Sequence, residues 1–578
     1  MKVKRGLALV LAAVMACTAL PACSRSKAGS SSAAGTASGS GESKEPWTLE
    51  FTIPGAKDSI STDNDIGKEL RKKFGVTIKI IGYSGDWKGH TAQMLAAGNY
   101  PEMMMLQDND IYKSYVKAGA LQDIGELAKK YAPNLLNFYK DEIPYWKYIT
   151  GDGKFYKWCA NSPDVEQATT PRFDMIVRSD ILEEQNWPKL LNEDSYIKLL
   201  KRGLAAHPKT DGNSTLGMVM AAGEDWVLGD YMYELYAHGR YPEGSGILTW
   251  DTVDKKLVDT VLDTTNFKES IRFWNRLYRE KILDPECFTD EDSVVQQKLS
   301  SARALSTFYV TWKIPDINKN LHKLGKDNMK YVTMPIMLQS MIDGKQNRIA
   351  QITDSYDHQS IVITKNCKNP QRIMEMVNWV CTQEGQDLLG WGIKGKHYTV
   401  DSKGIKTPTK EYIACANGTG SDPHFNDGIS TDIFYFFLGL SSGFDKNNQC
   451  YNVQHDESVQ NASMDDRVKD VYSHYGWTSI MDPWKKNSAF QFVTVHNGEF
   501  LSTSLDASDP VKQTENRLIE YKRKSMAKLI MSVSYDAFEA NWADFIKGYK
   551  MLNPDSVKKA YSDGLKATQA KIQSYRTA

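Results

Sequence analysis

Apolar and polar positions divide this chain into an apolar head, a polar stretch and a long body of strand and helix patterns. At the start of the body, Leu49, Phe51 and Ile53 alternate with polar neighbours and predict a strand. Ile66, Leu70 and Phe74 recur every fourth residue, which places them on one face of a helix over 63–74, and Gly75 stops it. The β-branched run 76–81 predicts a second strand. A helix carrying Met94 and Leu95 ends at Gly98, and 103–106 predicts a short buried strand. Strand, helix, strand, helix, strand implies a parallel sheet with crossover helices. Such sheets bind ligands beyond the carboxyl ends of their strands, where the strand order reverses.

The pattern recurs downstream. Residues 175–177 predict a strand and a helix follows from Ile181; Asn192 or Ser195 caps the next helix, through Leu200. Residues 263–281 are helical, with Phe267, Ile271, Trp274 and Tyr278 on one side. Strands are predicted at 305–310, 331–334 and 361–363. Asn369-Pro370 then opens a helix, asparagine as cap and proline in the first turn. The last third is mostly helical, and 534–550 is amphipathic through Phe538, Trp542, Phe545 and Tyr549. No repeat with a period of roughly 20–50 residues is present.

The head reads as an export signal. Lys2, Lys4 and Arg5 precede an apolar run over 7–20, too short for the roughly 20 residues of a membrane span. Leu20-Pro21-Ala22-Cys23 resembles the lipobox of bacterial lipoproteins, in which the cysteine is acylated and becomes the new N-terminus, although Pro21 is unusual there. Cys23 is therefore the expected lipidation site, and 1–22 the expected signal peptide. Residues 23–45, rich in Ser, Gly and Ala, cannot bury a core and are expected to tether the body to a membrane through the lipid.

Composition narrows the picture. The 578 residues carry 71 basic and 71 acidic groups. Loss of 1–22 removes three basic groups and leaves a slightly acidic body, which argues against nucleic acid as partner. The length favours two or more lobes. Tyr (29) and Trp (14) dominate the aromatic residues, so most rings carry a polar handle. Beyond Cys17 and Cys23, six scattered cysteines form no C-x-x-C pair and match no zinc spacing. They read as buried small hydrophobes, and no pairing is assigned. The twelve-residue calcium pattern is absent as well, Asp63-Asn64-Asp65 lacking its remainder. No cofactor and no metal is expected.

A series of motifs, in order, resembles the extracellular solute-binding lipoproteins of bacterial ABC sugar importers (family 1-like). Phe74-Gly75-Val76-Thr77 is similar to the family's F-G-V-x, and 94–102 to L-A-S-G-D-x-P-D, with Asn99 at the aspartate position. Residues 118–124 resemble A-G-A-L-x-D-L, 153–156 resemble G-K-x-Y, and 178–182 resemble R-x-D-x-L. Residues 391–398 resemble G-I-E-G-x-H-Y, with Lys394 replacing the glutamate. The segment 404–495 matches less well and could be an insertion suited to the ligand. The resemblance implies an α/β fold of the two-lobe periplasmic-binding-protein type II class, with a hinge and extra C-terminal helices. It implies one lobe from 46–168 plus 356–425 and a helix-rich second lobe from 169–355 plus 426–578. It further implies an interlobe cleft for an oligosaccharide, delivery to the transmembrane subunits of an ABC permease, and a monomer lipid-anchored at the extracellular face of the membrane.

A sugar offers a weakly apolar C–H face and hydroxyls that need partners, so its site needs rings and short polar groups on loops after strands. Asp86 and Trp87 follow the second strand. Asp225 and Trp226 follow the apolar run ending at Ala222, and Tyr309 and Trp312 follow the strand at 305–308. Asp354, Tyr356 and His358 precede the strand at 361, near an expected hinge crossing, and Trp391 lies between glycines. These ten residues are the candidate ligand contacts; Trp274, Trp379 and Trp542 lie on helical apolar stripes and are expected in the core. No catalytic residue is assigned. The chain lacks H-E-x-x-H and a phosphate loop. Two other readings stay open: peptide capture by the same architecture, and a secreted polysaccharide-degrading enzyme with two facing carboxylates.

Overall fold

The computed structural model describes residues 45–54, 61–83, 86–106, 109–159, 173–224, 227, 240–243, 246–251, 254–344, 348–352, 360–430, 443–486, 491–495, 505–506 and 508–576. Two hydrophobic cores organise them, each built on its own sheet.

The first sheet has five strands in the order Val76–Tyr83, Trp47–Pro54, Met103–Leu106, Ser360–Ile363 and Trp158–Cys159. The first three run parallel, as the strand–helix alternation predicts, and Ser360–Ile363 pairs antiparallel with Met103–Leu106. The order reverses at Trp47–Pro54, so the switch-point crevice lies between that strand and Met103–Leu106. Local signals fix the crossovers. Asn64 accepts from the Gly67 N–H to cap the helix Asp65–Phe74, and Gly75 closes it at φ 66°. Gly98 does the same for Trp87–Ala97 at φ 65°. In the helix Glu193–Ala206 the two expected caps act together: Asn192 accepts from Ser195 N, and the Ser195 hydroxyl accepts from Asn192 N.

The second sheet has four strands in the order Tyr331–Thr333, Phe173–Arg178, Ala304–Val310 and Leu216–Val219. Here the expected recurrence of a parallel sheet is corrected. Ala304–Val310 runs parallel to Leu216–Val219, but Phe173–Arg178 runs antiparallel to both of its neighbours. Periodicity locates a strand but carries no information about its direction. Register pairs Val310 with Phe173 and Tyr309 with Asp174, so one edge of this sheet gathers the carboxyl end of one strand and the amino end of the next.

Two segments outside the sheets join both cores. The helix Pro554–Arg576 places Val557 and Tyr561 in the second core and Ile572 in the first. Along it, Lys558 pairs with Asp263 and Tyr561 donates to Glu515, whereas Thr568 bonds the Tyr148 hydroxyl at 3.0 Å. Val453 and Val459 belong to the first core, while Met464, Val471 and Tyr472 belong to the second. The chain thus returns to the first core beyond residue 425, where the sequence pattern passes it to the second lobe. Lys330–Asp465 (2.6 Å) and Arg467–Glu183 (2.5 Å) pin this segment to the second sheet's surroundings.

Trp274 is buried, and Trp379 and Trp542 pack half-buried against the two cores. All six described cysteines are free; Cys159, Cys287, Cys367 and Cys450 are buried, and burial pushes the Cys367 and Cys450 thiols up to about 12. Among the described residues, no helix is long and apolar enough to cross a membrane.

Candidate functional site

Among the described residues, the most exposed tryptophan lies at the end of the second sheet marked by Val310 and Phe173. Trp312 follows the strand Ala304–Val310 in a single 3-10 turn and is 54% exposed. One edge of it meets Phe173, ring centroids 6.4 Å apart, and Phe173 in turn packs on Phe308 at 5.5 Å. The ring is therefore propped by the core while one side faces solvent.

Polar groups converge beside it. The carboxylate of Asp292, first residue of the helix Asp292–Ser300, accepts from the Tyr309 hydroxyl, from Lys313 Nζ at 2.5 Å and from Gln296 Nε2 at 2.7 Å. The Asp292 N–H donates to Glu224 Oε1 at 3.1 Å, which brings in the loop after Leu216–Val219. Burial, then the Asp292 carboxylate, hold the Tyr309 hydroxyl far above its ordinary pKa, so it stays protonated and donates. The charged groups named here are Glu224, Asp292 and Lys313, two acids and one base.

Only part of the sequence-predicted set meets here. Tyr309 and Trp312 do, but the strand runs on to Val310, so Tyr309 is a core residue whose hydroxyl alone reaches the site. Asp86 and Trp87 sit at the carboxyl end of Val76–Tyr83 on the other sheet. The Asp86 carboxylate is occupied capping the helix Trp87–Ala97 through the Gly89 N–H at 2.9 Å. Trp87 is half-buried, with Lys88 Nζ 5.4 Å from its ring centroid. Trp391 as a cleft residue is corrected. It ends the helix Gln383–Trp391, is 1% exposed in the first core, and donates Nε1 to Cys450 O at 2.9 Å. Its flanking glycines serve packing: a Cβ at Gly390 would collide with the Tyr451 carbonyl, and Gly392 turns the chain at φ 87°. Asp225, Trp226, Asp354, Tyr356 and His358 lie outside the described residues.

Sequence reasoning missed Asp292, Lys313 and Phe173. Lys313 adjoins Trp312 and was legible by neighbourhood. Asp292 carries no local signal, because its partners Tyr309 and Glu224 are distant in the chain.

Comparison with known proteins places these features in a family. A sequence model for bacterial extracellular solute-binding proteins matches residues 56–387. A relative, the fructooligosaccharide ABC transporter substrate-binding protein FusA of Streptococcus pneumoniae serotype 4, is 24% identical over 257 residues. That match covers 42% of this chain and 46% of FusA, so the chain spans about half the length of this relative. Among solved structures, the alginate-binding protein AlgQ2 without calcium ion superposes with a TM-score of 0.60 at 15% identity, covering 90% of this chain and 98% of that one. A FusA EF-hand mutant of S. pneumoniae in complex with fructo-nystose gives 0.57 at 15%, covering 92% and 100%. An HMO-binding, ABC-transporter-associated solute-binding protein from Bifidobacterium longum infantis gives 0.55 at 13%, covering 92% and 99%. At these identities the likeness is one of fold: an α/β architecture of two lobes.

Proposed function

This chain belongs to the bacterial extracellular solute-binding protein family, and from that premise we propose that it captures an oligosaccharide or related carbohydrate between its two lobes and delivers it to the transmembrane permease of an ABC importer. The observation that carries this reading is the exposed Trp312 ring beside Lys313, Asp292 and Glu224. The ring offers a flat apolar face for the C–H side of a sugar, and the polar groups offer donors and acceptors for its hydroxyls.

The charge at this edge favours a neutral sugar. Lys313 is already paired with Asp292, and Glu224 adds a second negative group, so a uronate would meet repulsion here. Trp87, after the edge strand Val76–Tyr83, is the candidate ring of the first lobe. Closure of the two lobes buries the sugar between Trp312 and Trp87. The protein acts without turnover, as a monomer held at the outer membrane face by a lipid on Cys23, with 24–45 as tether. The lobes comprise 46–168 plus 356–425 and 169–355 plus 426–578, except that Val453 and Val459 return to the first, and the helix Pro554–Arg576 lies across both.

Calorimetry against a panel of neutral glycans, uronate oligomers and peptides tests this. The expected result is micromolar or tighter binding of one class of neutral oligosaccharide, with quenching or shift of tryptophan fluorescence. Binding of a peptide but no sugar, or release of reducing ends on incubation with a glycan, would overturn it.

A further inference from the structure

A second constellation lies at the end of the second sheet opposite Trp312. One carboxylate oxygen of Asp180, one of Glu184 and one ring nitrogen of His207 lie within 4.8 Å of one another. Asp180 and Glu184 are one turn apart on the helix Ser179–Glu184 and share a face. His207 ends the helix Glu193–Ala206, and its Nε2 is 2.6 Å from Glu184 Oε2.

Asp180 is not an ordinary surface acid, being 4% exposed. Its Oδ1 accepts from Arg178 Nε at 2.8 Å and from Ile181 N at 2.9 Å. Among the described residues, its buried Oδ2 has no donor and the buried Arg178 Nη2 has no acceptor. A closed guanidinium–carboxylate fork would use both N–H groups. Here only one is used, so the carboxylate is turned away from the second. A buried carboxylate oxygen left without a partner is costly. A cation held by Asp180, Glu184 and His207 would give this carboxylate a further partner.

We propose that Asp180, Glu184 and His207 bind a divalent transition-metal ion of the zinc type, with water completing the coordination. One imidazole and two carboxylates form a mixed nitrogen–oxygen set that suits first-row transition ions, whereas Ca²⁺ and Mg²⁺ prefer oxygen alone. Arg178 offsets one of the two carboxylates, so with His207 neutral the four groups sum to one negative charge and admit a dication. Glu184 and His207 are partly exposed and can turn to bring their donor atoms to the roughly 2.0–2.2 Å that zinc requires. The ion would tie the helix that follows Phe173–Arg178 to the end of Glu193–Ala206. It would touch neither Trp312 nor Asp292, so its role is structural.

The test uses the full chain, purified through a tag without histidine and stripped with a chelator. Titration with ZnCl₂ is expected to show one saturable ion per chain and a rise in Tm. His207→Ala and Glu184→Gln should each weaken binding at least tenfold and abolish the rise, while their metal-free Tm stays close to that of the parent. Absence of saturable binding overturns the proposal. Binding that both variants leave unchanged overturns it, since the ion then sits elsewhere. Equal affinity and equal Tm shift with CaCl₂ overturn it as well, because the imidazole then contributes nothing.

Discussion

Trp484 Nε1 donates to Asp174 Oδ2 at 2.7 Å, and the Met175 N–H donates to Asp174 Oδ1 at 2.7 Å. Both donors are neutral, and burial pushes this carboxyl up to about 7 against an ordinary 3.8. Below about pH 4 it is protonated in folded and unfolded chains alike, and its contribution to stability is fully present. Between about pH 4 and 7 the unfolded chain sheds the proton that the folded chain keeps, so stability falls as pH rises through this window. Asp174→Asn keeps an acceptor for the indole and removes the titration. Its amide nitrogen cannot accept from the Met175 N–H, so the expected outcome is a flatter Tm against pH, with the parent the more stable at acid pH.

Trp312→Ala should separate binding from stability. The side chain is 54% exposed, so unfolding free energy should change by no more than about 0.5 kcal/mol. Ligand affinity should fall at least about tenfold, equivalent to about 1.4 kcal/mol of lost stacking. Calorimetry beside denaturant unfolding reads both numbers, and an unchanged affinity would remove Trp312 from the site.

Trp391→Ala should show the reverse. Loss of a buried indole bonded to Cys450 O is expected to cost about 3–5 kcal/mol. The variant, measured at a temperature where it remains folded, should bind ligand as the parent does.

Much of this fold is legible in sequence because its signals are local. Gly75 and Gly98 announce helix ends that only a left-handed residue closes easily, and Asn192 with Ser195 spells a capping box. The strands at 47–54, 76–83 and 103–106 follow from short apolar or β-branched runs. The direction of Phe173–Arg178 does not, since it depends on how the chain enters the sheet. Trp391 reads as a loop residue because its glycines look like turn signals, yet Gly390 exists to let the 451 backbone approach a helix. At the candidate site, Trp312 is legible as a ring after a strand. The Asp292 carboxylate that organises Lys313 and Tyr309 is not, because its partners are set by tertiary packing.

The helix Pro554–Arg576 should couple the two lobes. Ile572→Ala is expected to destabilise the first core by about 2–5 kcal/mol although the amino-terminal part of its helix, at Val557 and Tyr561, packs on the second. Hydrogen exchange should show faster opening of Ile143–Thr150, the helix that bears Tyr148, with the strands of the second sheet unaffected. Equal protection in both regions would show that the helix carries no such coupling.

Ile572 also sets an order of events during synthesis. The core it enters begins at Leu49, among the first body residues to leave the ribosome. That core is completed only by a helix made more than 500 residues later. Its last contact is therefore formed only after nearly the whole chain has been made. A chain that must be threaded through a narrow translocation channel before it folds would gain from this delay.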